Sequence, residues 1–277
     1  MKQFLLFISV IFFTLSTIGQ EKKSTASENI QLLEYQFTIP EFSNFKPNIW
    51  IYLPPDYNTS SKKYPVIYMH DAQNLFDAAT SFAGEWEVDE TLNAVFEQTK
   101  KGFIVIGIEN SGEQRINQYT PWENKKYGGG KGFVYVNFLI DTLKPFIDSN
   151  YRTKSRPKHT ALIGSSLGGL ISYYGGLKHP NVFGKIGALS TSFWFSEKVI
   201  EFTTLNAKNA DIKLFLLVGG KEGEEMENDT KQFEKLLLES GFNPKNLKTV
   251  IKPEGNHNEG FWKSEFLNVV TWLYNIN

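Results

Sequence analysis

Short apolar runs rich in β-branched residues alternate with segments of helical periodicity, and this alternation limits the possible folds of the chain more than any other feature. Such runs predict buried strands, here at Ile49–Leu53, Val66–His70, Phe103–Ile108, Thr160–Gly164, Ile186–Leu189, Leu214–Val218 and Lys248–Lys252. The helical patterns lie at Phe133–Asp148, Leu167–Leu177, Thr230–Ser240 and Glu259–Tyr274. Strands that alternate with helices predict an α/β fold, with a mostly parallel central sheet covered by helices on both faces.

The N-terminal residues have the layout of a secretory signal peptide. Met1–Lys2 supplies a positive charge, Phe4–Leu15 is an apolar run, and Ser16–Gly19 is small and polar. The apolar run is short for a membrane span and no second one follows it, although a membrane anchor is the alternative. We therefore predict a signal peptide over 1–19, a flexible lead-in over 20–30 and a single domain over 31–277. The expected location is periplasmic or secreted, without stable membrane insertion.

Composition excludes several classes of function. The formal net charge of −1 at pH 7 argues against a nucleic-acid partner. The chain has no cysteine, which excludes disulfides and thiol catalysis, and its four histidines show no metal-ligand spacing of the HExxH type. The sequence therefore predicts no metal site and no cofactor.

The segment Gly164–Gly168 matches the pattern G-x-S-x-G with Ser166 at its centre. It follows a predicted strand and opens a predicted helix, which is the setting of a nucleophile elbow. The same turn places the backbone N–H of Leu167 at a helix start, where it can bind a developing oxyanion. The alternative is a glycine-rich turn without chemistry. Ser165 occupies the variable position and is expected to point away from the cleft.

A serine nucleophile needs a general base, and chain position separates the four histidines. Ligands of α/β folds bind at the carboxyl ends of the strands, whereas His159 precedes its strand and His179 lies at the far end of a helix. His70 ends a strand but precedes the serine. His257 follows the last predicted strand, and the order Ser, acid, His is that of α/β-hydrolases. These positions predict His257 as the base.

The acid of such a site orients the histidine and is expected in the loop after the strand Leu214–Val218. Glu222 lies closest to the end of that strand and is the leading candidate. The neighbouring acids remain alternatives, although most of them are expected to form a solvated face: Glu224, Glu225, Glu227 and Asp229.

Further motifs stand at Tyr64–Asp77, Gly84–Glu90, Arg115–Trp122, Tyr151–Thr153, Gly164–Leu170, Gly219–Glu222 and Gly255–Trp262. Together they resemble the putative esterase family, which includes esterase D, enterochelin esterases and carbohydrate esterases. The resemblance extends from about Asn48 to Trp272. It implies an α/β-hydrolase fold and a Ser–His pair with a late acid, acting on carboxylic esters. Ser166, His257 and Glu222 match those positions.

The resemblance also implies an oxyanion loop at His70–Gln73. The backbone N–H of Ala72, or of the next residue, would join that of Leu167. Relatives often have Gly at the position of Ala72, which is compatible with a backbone role, and Glu at the position of Gln118. The second departure leaves the function of the loop Arg115–Tyr119 open.

Candidate substrate contacts are Arg115, Trp122 and Trp194, because Trp194 lies just beyond a predicted strand end and the others lie in a loop of the resemblance. An aromatic face there could stack on a sugar or an aryl acyl group. Packing within the loops is the alternative for all three residues.

The predicted function is that of a serine carboxylic-ester hydrolase that forms an acyl-enzyme. The expected partner is a small-molecule or carbohydrate ester, such as an acylated carbohydrate or a siderophore-like ester. One alternative is an acyltransferase that uses the same site. Another is a catalytically silent glycan- or siderophore-binding protein, which the intact Ser166 and His257 disfavour. A serine peptidase is disfavoured because no gating domain is visible in 277 residues.

Overall fold

A computed structural model describes residues 23–39, 41–42 and 45–276. The predicted signal peptide lies outside the described residues. Within them, no helix combines the length and the apolar character that crossing a bilayer requires.

The strands of the described residues are β1 (Ile30–Leu32), β2 (Ile49–Tyr52), β3 (Val66–His70), β4 (Ile104–Ile108), the small separate pair β5 (Glu123–Asn124) and β6 (Gly128–Gly129), β7 (Thr160–Ser165), β8 (Lys185–Leu189), β9 (Lys213–Gly219) and β10 (Leu247–Lys252). In this part of the chain, the central sheet has eight strands in the order β1-β2-β4-β3-β7-β8-β9-β10. Every pairing from β4 to β10 is parallel, whereas the pairs β1–β2 and β2–β4 are antiparallel. The predicted mostly parallel sheet is confirmed.

Helices connect the strands and cover both faces. They are α1 (Val88–Thr99), α2 (Arg115–Tyr119), α3 (Gly132–Phe138), α4 (Lys144–Asn150), α5 (Leu167–Lys178), α6 (Lys198–Asn206), α7 (Glu224–Glu239) and α8 (Glu259–Tyr274). A π-helical turn at Leu139–Leu143 joins α3 to α4, so the single helix predicted there is one interrupted element. Helix α7 begins at Glu224, before the predicted start at Thr230, and includes the acidic run in its first turns.

Some elements have no counterpart in the sequence prediction, namely β1, β5, β6, α1, α2 and α6. Helix α1 is the most important of them. Its side chains Val88, Leu92 and Val95 are buried and have helical spacing. The spacing of these apolar residues is that of an amphipathic helix. The segment contains no continuous apolar run, because polar residues lie between the apolar ones.

The core has two layers, because successive side chains of a strand point to opposite faces. Val66 and Tyr68 of β3 pack into the layer that also contains Leu170 of α5. Ile67 of the same strand packs into the layer covered by α1 and α8, which includes Val269.

Helix α5 lies unusually close to the sheet, because two glycines face the strands. A Cβ added at Gly175 would lie 2.9 Å from Leu162 Cδ2, and one added at Gly176 would collide with Ile186. This close approach fixes where the N-terminus of α5 meets the end of β7.

We predict that Gly176→Ala destabilises the protein by about 1–3 kcal/mol, because overpacking outweighs the better helix propensity of alanine. Gly260→Ala in α8 is the matched control, since its added Cβ would meet only Asn258 Oδ1 at 3.4 Å. Thermal unfolding of both variants measures the effect. Equal melting temperatures for the two variants would contradict close packing of α5 on the sheet.

Candidate active site

Ser166 lies between β7 and α5 in a backbone conformation that non-glycine residues rarely adopt. Its φ is 57° and its ψ is −122°. The conformation is held by hydrogen bonds from Ser166 N to Leu189 O (2.9 Å) and from Leu170 N to Ser166 O (3.1 Å). Gly164 leaves the room that the turn needs, because a Cβ there would lie 2.6 Å from Gly168 O. This is the geometry of a nucleophile elbow.

The Ser166 hydroxyl is half-buried, and its Oγ lies 3.3 Å from the Oγ of Ser192. Ser192 follows β8, the strand next to β7 in the sheet. Ser165 is buried within β7, as the motif predicts for its variable position.

His257 and Glu222 form a close pair at the same edge of the sheet. Glu222 ends a short 3₁₀ helix directly after β9, and its carboxylate is buried. Its Oε2 lies 2.7 Å from His257 Nδ1. The interaction fixes the orientation of the imidazole and leaves Nε2 as the nitrogen for proton transfer. Within the described residues no hydrogen bond joins His257 to Ser166, and such bonds are often long without substrate.

The second oxygen of Glu222 is also fully engaged. Its Oε1 accepts hydrogen bonds from Gly219 N (2.7 Å) and from Ser190 Oγ (2.6 Å). Ser190 Oγ in turn accepts from Trp262 Nε1 at 2.8 Å. A chain of hydrogen bonds thus runs from the buried Trp262 through Ser190 and Glu222 to the exposed His257. Neither Ser190 nor Trp262 was predicted as a site residue, because no motif relates them along the sequence.

The backbone amides predicted for the oxyanion hole lie at adjacent strand ends. Strands β3 and β7 are paired in parallel with Met69 opposite Ile163, so the turns that contain Ala72 and Leu167 emerge side by side. Each amide belongs to the first residue of a helix, Ala72 of a short 3₁₀ helix and Leu167 of α5, where N–H groups have no partner within the helix. In the described part of the chain, no backbone hydrogen bond outside the helices and strands uses either amide.

An ion pair between Asp71 and Arg115 stabilises the turn before Ala72. Asp71 has a left-handed backbone with φ of 58°. The guanidinium of Arg115 binds its carboxylate through two bonds, Nε to Oδ1 (2.7 Å) and Nη2 to Oδ2 (2.8 Å). Asn110 Nδ2 donates to the same Oδ1 at 2.7 Å, and the Asp71 amide donates to Tyr119 Oη at 3.1 Å. Burial alone would raise the pKa of Asp71, but Arg115 and Asn110 hold it below its ordinary value.

This placement bears on the role predicted for Arg115. Two of its five N–H donors bind Asp71, and its side chain lies over the ring of Tyr119 at 5.1 Å. The guanidinium thus acts on the oxyanion loop, and direct contact with a substrate stays a prediction.

The two tryptophans predicted as substrate contacts differ in exposure. Trp122 is half-buried and packs against Tyr174 and Phe202, with ring centroids 5.7 and 5.4 Å away. Trp194 is 48% exposed and lies two residues after Ser192. Its ring meets that of Tyr127, a residue between β5 and β6 that the sequence did not single out, at 5.8 Å. Trp194 is therefore the better placed of the two for a ligand.

The other histidines lie apart from the candidate site or are fully engaged. His70 is buried, and its ring nitrogens lie 2.8 Å from Tyr135 Oη and 3.1 Å from Ser172 Oγ. Burial lowers the pKa of His70 to about 3, so the ring is neutral and structural. His159 lies before β7, at the opposite edge of the sheet from Ser166.

Comparison with known proteins places these observations in a family. The model described as putative esterase matches residues 42–273. The chain is 32% identical over 241 residues to the uncharacterized protein YbbA of Bacillus subtilis strain 168, a match that covers 82% of this chain and 92% of that protein. It is 27% identical over 208 residues to the endo-1,4-beta-xylanase/feruloyl esterase of Xylanibacter ruminicola, covering 71% of this chain and 25% of that longer protein.

Solved structures agree on the fold. The BES protein from Bacillus cereus superposes with a TM-score of 0.71 at 23% identity, covering 92% of this chain and 98% of that one. The IroE-like serine hydrolase from Shewanella oneidensis gives 0.70 at 21% identity, covering 88% and 80%. The siderophore hydrolase EstA from Aspergillus nidulans gives 0.71 at 19% identity, covering 97% and 100%. The predicted α/β-hydrolase fold is confirmed.

We predict that Arg115→Gln destabilises the protein by about 2–4 kcal/mol, because it leaves the Asp71 carboxylate largely buried without a counter-charge. Adding Asp71→Asn to this variant should recover part of the loss, as a double-mutant cycle measures. Lys231→Gln is the control, since its pair with Glu227 is exposed and contributes at most about 0.5 kcal/mol. Chemical denaturation gives the free energies, and strict additivity of Arg115→Gln and Asp71→Asn would contradict the coupling.

Proposed function

This chain belongs to the putative esterase family, and from that premise we propose that it hydrolyses carboxylic esters with Ser166 as nucleophile, His257 as general base and Glu222 as the orienting acid. Membership of this family supports ester hydrolysis as the reaction. The serine mechanism rests on one observation above all. Ser166 has the strained backbone of an elbow at the sheet edge where the Glu222–His257 pair also lies.

The proposed reaction proceeds in two steps. His257 Nε2 accepts the hydroxyl proton of Ser166 while Oγ attacks the ester carbonyl, whose electron pair moves onto its oxygen. The tetrahedral intermediate then expels the alcohol, which takes the proton from His257, and an acyl-enzyme remains. Water attacks this acyl-enzyme in the second step. His257 takes the proton of the water and returns it to Ser166 as the carboxylic acid leaves.

The amides of Ala72 and Leu167 are proposed to bind the negatively charged carbonyl oxygen in both steps. Loss of a single oxyanion donor typically costs about 10²–10³ in rate. The Arg115–Asp71 bonds support this function indirectly, because they fix the turn that presents the Ala72 amide. Glu222 would stabilise the imidazolium that forms transiently on His257.

The proposed substrate is an acylated carbohydrate or a siderophore-like ester. Feruloyl esterase and siderophore hydrolase occur in the names of similar proteins. The exposed ring of Trp194 beside Tyr127 offers a flat aromatic surface close to Ser192. Such a surface suits an aryl acyl group or a sugar face. An acyltransferase would use the same residues and would transfer the acyl group to an added alcohol in competition with water.

We predict that Ser166→Ala lowers kcat on the hydrolysed ester by at least about 10⁴-fold, because the nucleophile is lost. A panel of acetyl, feruloyl and catecholate-siderophore esters, assayed with and without an acceptor alcohol, identifies the substrate. Ser165→Ala is the matched control, and it removes a neighbouring hydroxyl within β7. Equal rates for wild type and Ser166→Ala would refute the nucleophile.

Glu222→Gln is expected to lower kcat by about 10²–10⁴-fold, since an uncharged partner stabilises the imidazolium poorly and permits the wrong tautomer. The nearby variants Glu224→Gln and Asp229→Asn should leave kcat close to that of the wild type. Steady-state kinetics on the same ester tests all three. Loss of activity in either neighbour with full activity in Glu222→Gln would reassign the acid.

A further inference from the structure

Three carboxylates converge beside the N-terminus of α1, apart from Ser166 and His257. Glu85 precedes the helix, and Asp89 and Glu90 lie in its first turn. One carboxylate oxygen from each residue lies within 4.8 Å of the corresponding oxygens of the other two. The sequence predicted no metal site, because it has no cysteine and its four histidines lack HExxH spacing, and carboxylate clusters leave no such motif.

The buried oxygens of this cluster have no hydrogen-bond partners. In the described part of the chain, this holds for Glu85 Oε1, Asp89 Oδ1 and Glu90 Oε2. Asp89 is completely buried, with a relative exposure of 0%. A buried acceptor without a donor is costly, and an ionised carboxylate is far costlier than a neutral group. A ligand that pairs with these oxygens would remove this energetic cost.

The remaining oxygens of two of these residues are held in place by the segment before β1. Thr25 Oγ1 donates to Glu85 Oε2 at 2.9 Å, and Ser27 N donates to Asp89 Oδ2 at 2.8 Å. Glu85 and Asp89 thus each have one oxygen anchored by a donor and one left without a partner. Metal-binding carboxylates are oriented in this way by hydrogen bonds behind them.

The cluster also lacks a compensating cation. Over the residues that the structure covers, no Lys or Arg forms an ion pair with Glu85, Asp89 or Glu90, whereas the adjacent Glu87 pairs with Lys263. The N-terminus of α1 contributes about half a positive charge. The negative charge of three ionised carboxylates is much larger than this partial positive charge.

We propose that Glu85, Asp89 and Glu90 bind one divalent cation, and that this cation is Ca²⁺. The donor set is made of oxygen alone, as Ca²⁺ prefers. Ca²⁺–oxygen distances of about 2.3–2.6 Å place opposite ligands up to about 5 Å apart, which accommodates the observed separations. Water would complete the coordination, as in weak sites with Kd of about 10⁻⁴–10⁻³ M. The site is independent of the ester chemistry.

The rival occupant is a proton shared between Asp89 and Glu90. Burial and the contact with Asp89 raise the pKa of Glu90 to about 8. A protonated Glu90 could donate to Asp89 and would leave Glu85 Oε1 without a partner. A cation can bind one oxygen from each of the three carboxylates at once, and the two occupants respond in opposite ways to Glu90→Gln.

The test uses the purified protein stripped with EDTA at pH 7.5. We expect CaCl₂ at about 100-fold above its Kd to raise the melting temperature by about 5–10 °C, and MgCl₂ to raise it less. Glu90→Gln should weaken Ca²⁺ binding at least tenfold by calorimetric titration. Glu97→Gln, the same change at an exposed position of α1, should bind Ca²⁺ like the wild type.

Glu85→Gln serves as a second ligand variant if Glu90→Gln does not fold. The proposal fails if CaCl₂ neither releases heat nor shifts the melting temperature of the wild type. It also fails if the ligand variants keep the wild-type response to Ca²⁺. A Glu90→Gln protein that is more stable than the wild type in EDTA, together with a wild type that ignores Ca²⁺, would assign the shared proton instead.

Discussion

The strained backbone of Ser166 is the constraint on which the rest of the candidate site depends. A φ of 57° at a serine persists only where the surroundings leave no alternative. Gly164 allows β7 to reach the carbonyl of Gly168, and Gly176 brings the same helix against Ile186. The absence of side chains at these glycines therefore permits the tight turn at Ser166 and the close packing of α5 that follows it. Larger residues at these two positions would collide with Gly168 and Ile186.

Buried polar contacts set the positions of the groups around this serine. Glu222 has both oxygens occupied, so its carboxylate cannot rotate away from His257. Trp262, on α8, determines where the Ser190 hydroxyl points. On the other side, Arg115 holds the turn of Asp71 by two parallel bonds. Glu222 and the turn of Asp71 are thus each held by several hydrogen bonds, which is an arrangement that preorganised sites require.

The sequence predicted the parallel sheet well, because apolar runs mark strands. Parallel strands bring their carboxyl ends together, and this rule predicts Ser166, Glu222 and His257 at the same edge of the sheet. The structure pairs Glu222 with His257. The partners of these residues were not predictable in this way. Ser190 meets Trp262 across 72 positions of sequence, and no periodicity encodes that contact. The anchoring of the acidic cluster is equally non-local, since Ser27 donates to Asp89 across 62 positions of sequence.

Contacts across long stretches of chain also govern when the candidate site can form. The Asn74 side-chain amide donates to Glu259 across 185 positions, and Trp262 lies on α8, far along the chain from Ser166. During synthesis, the residues around Ser166 therefore leave the ribosome before His257 and α8 do. At that stage the chain lacks both the partner of Glu222 and the indole that donates to Ser190. The candidate site can therefore assemble only after the segment that contains His257 and α8 has been synthesised.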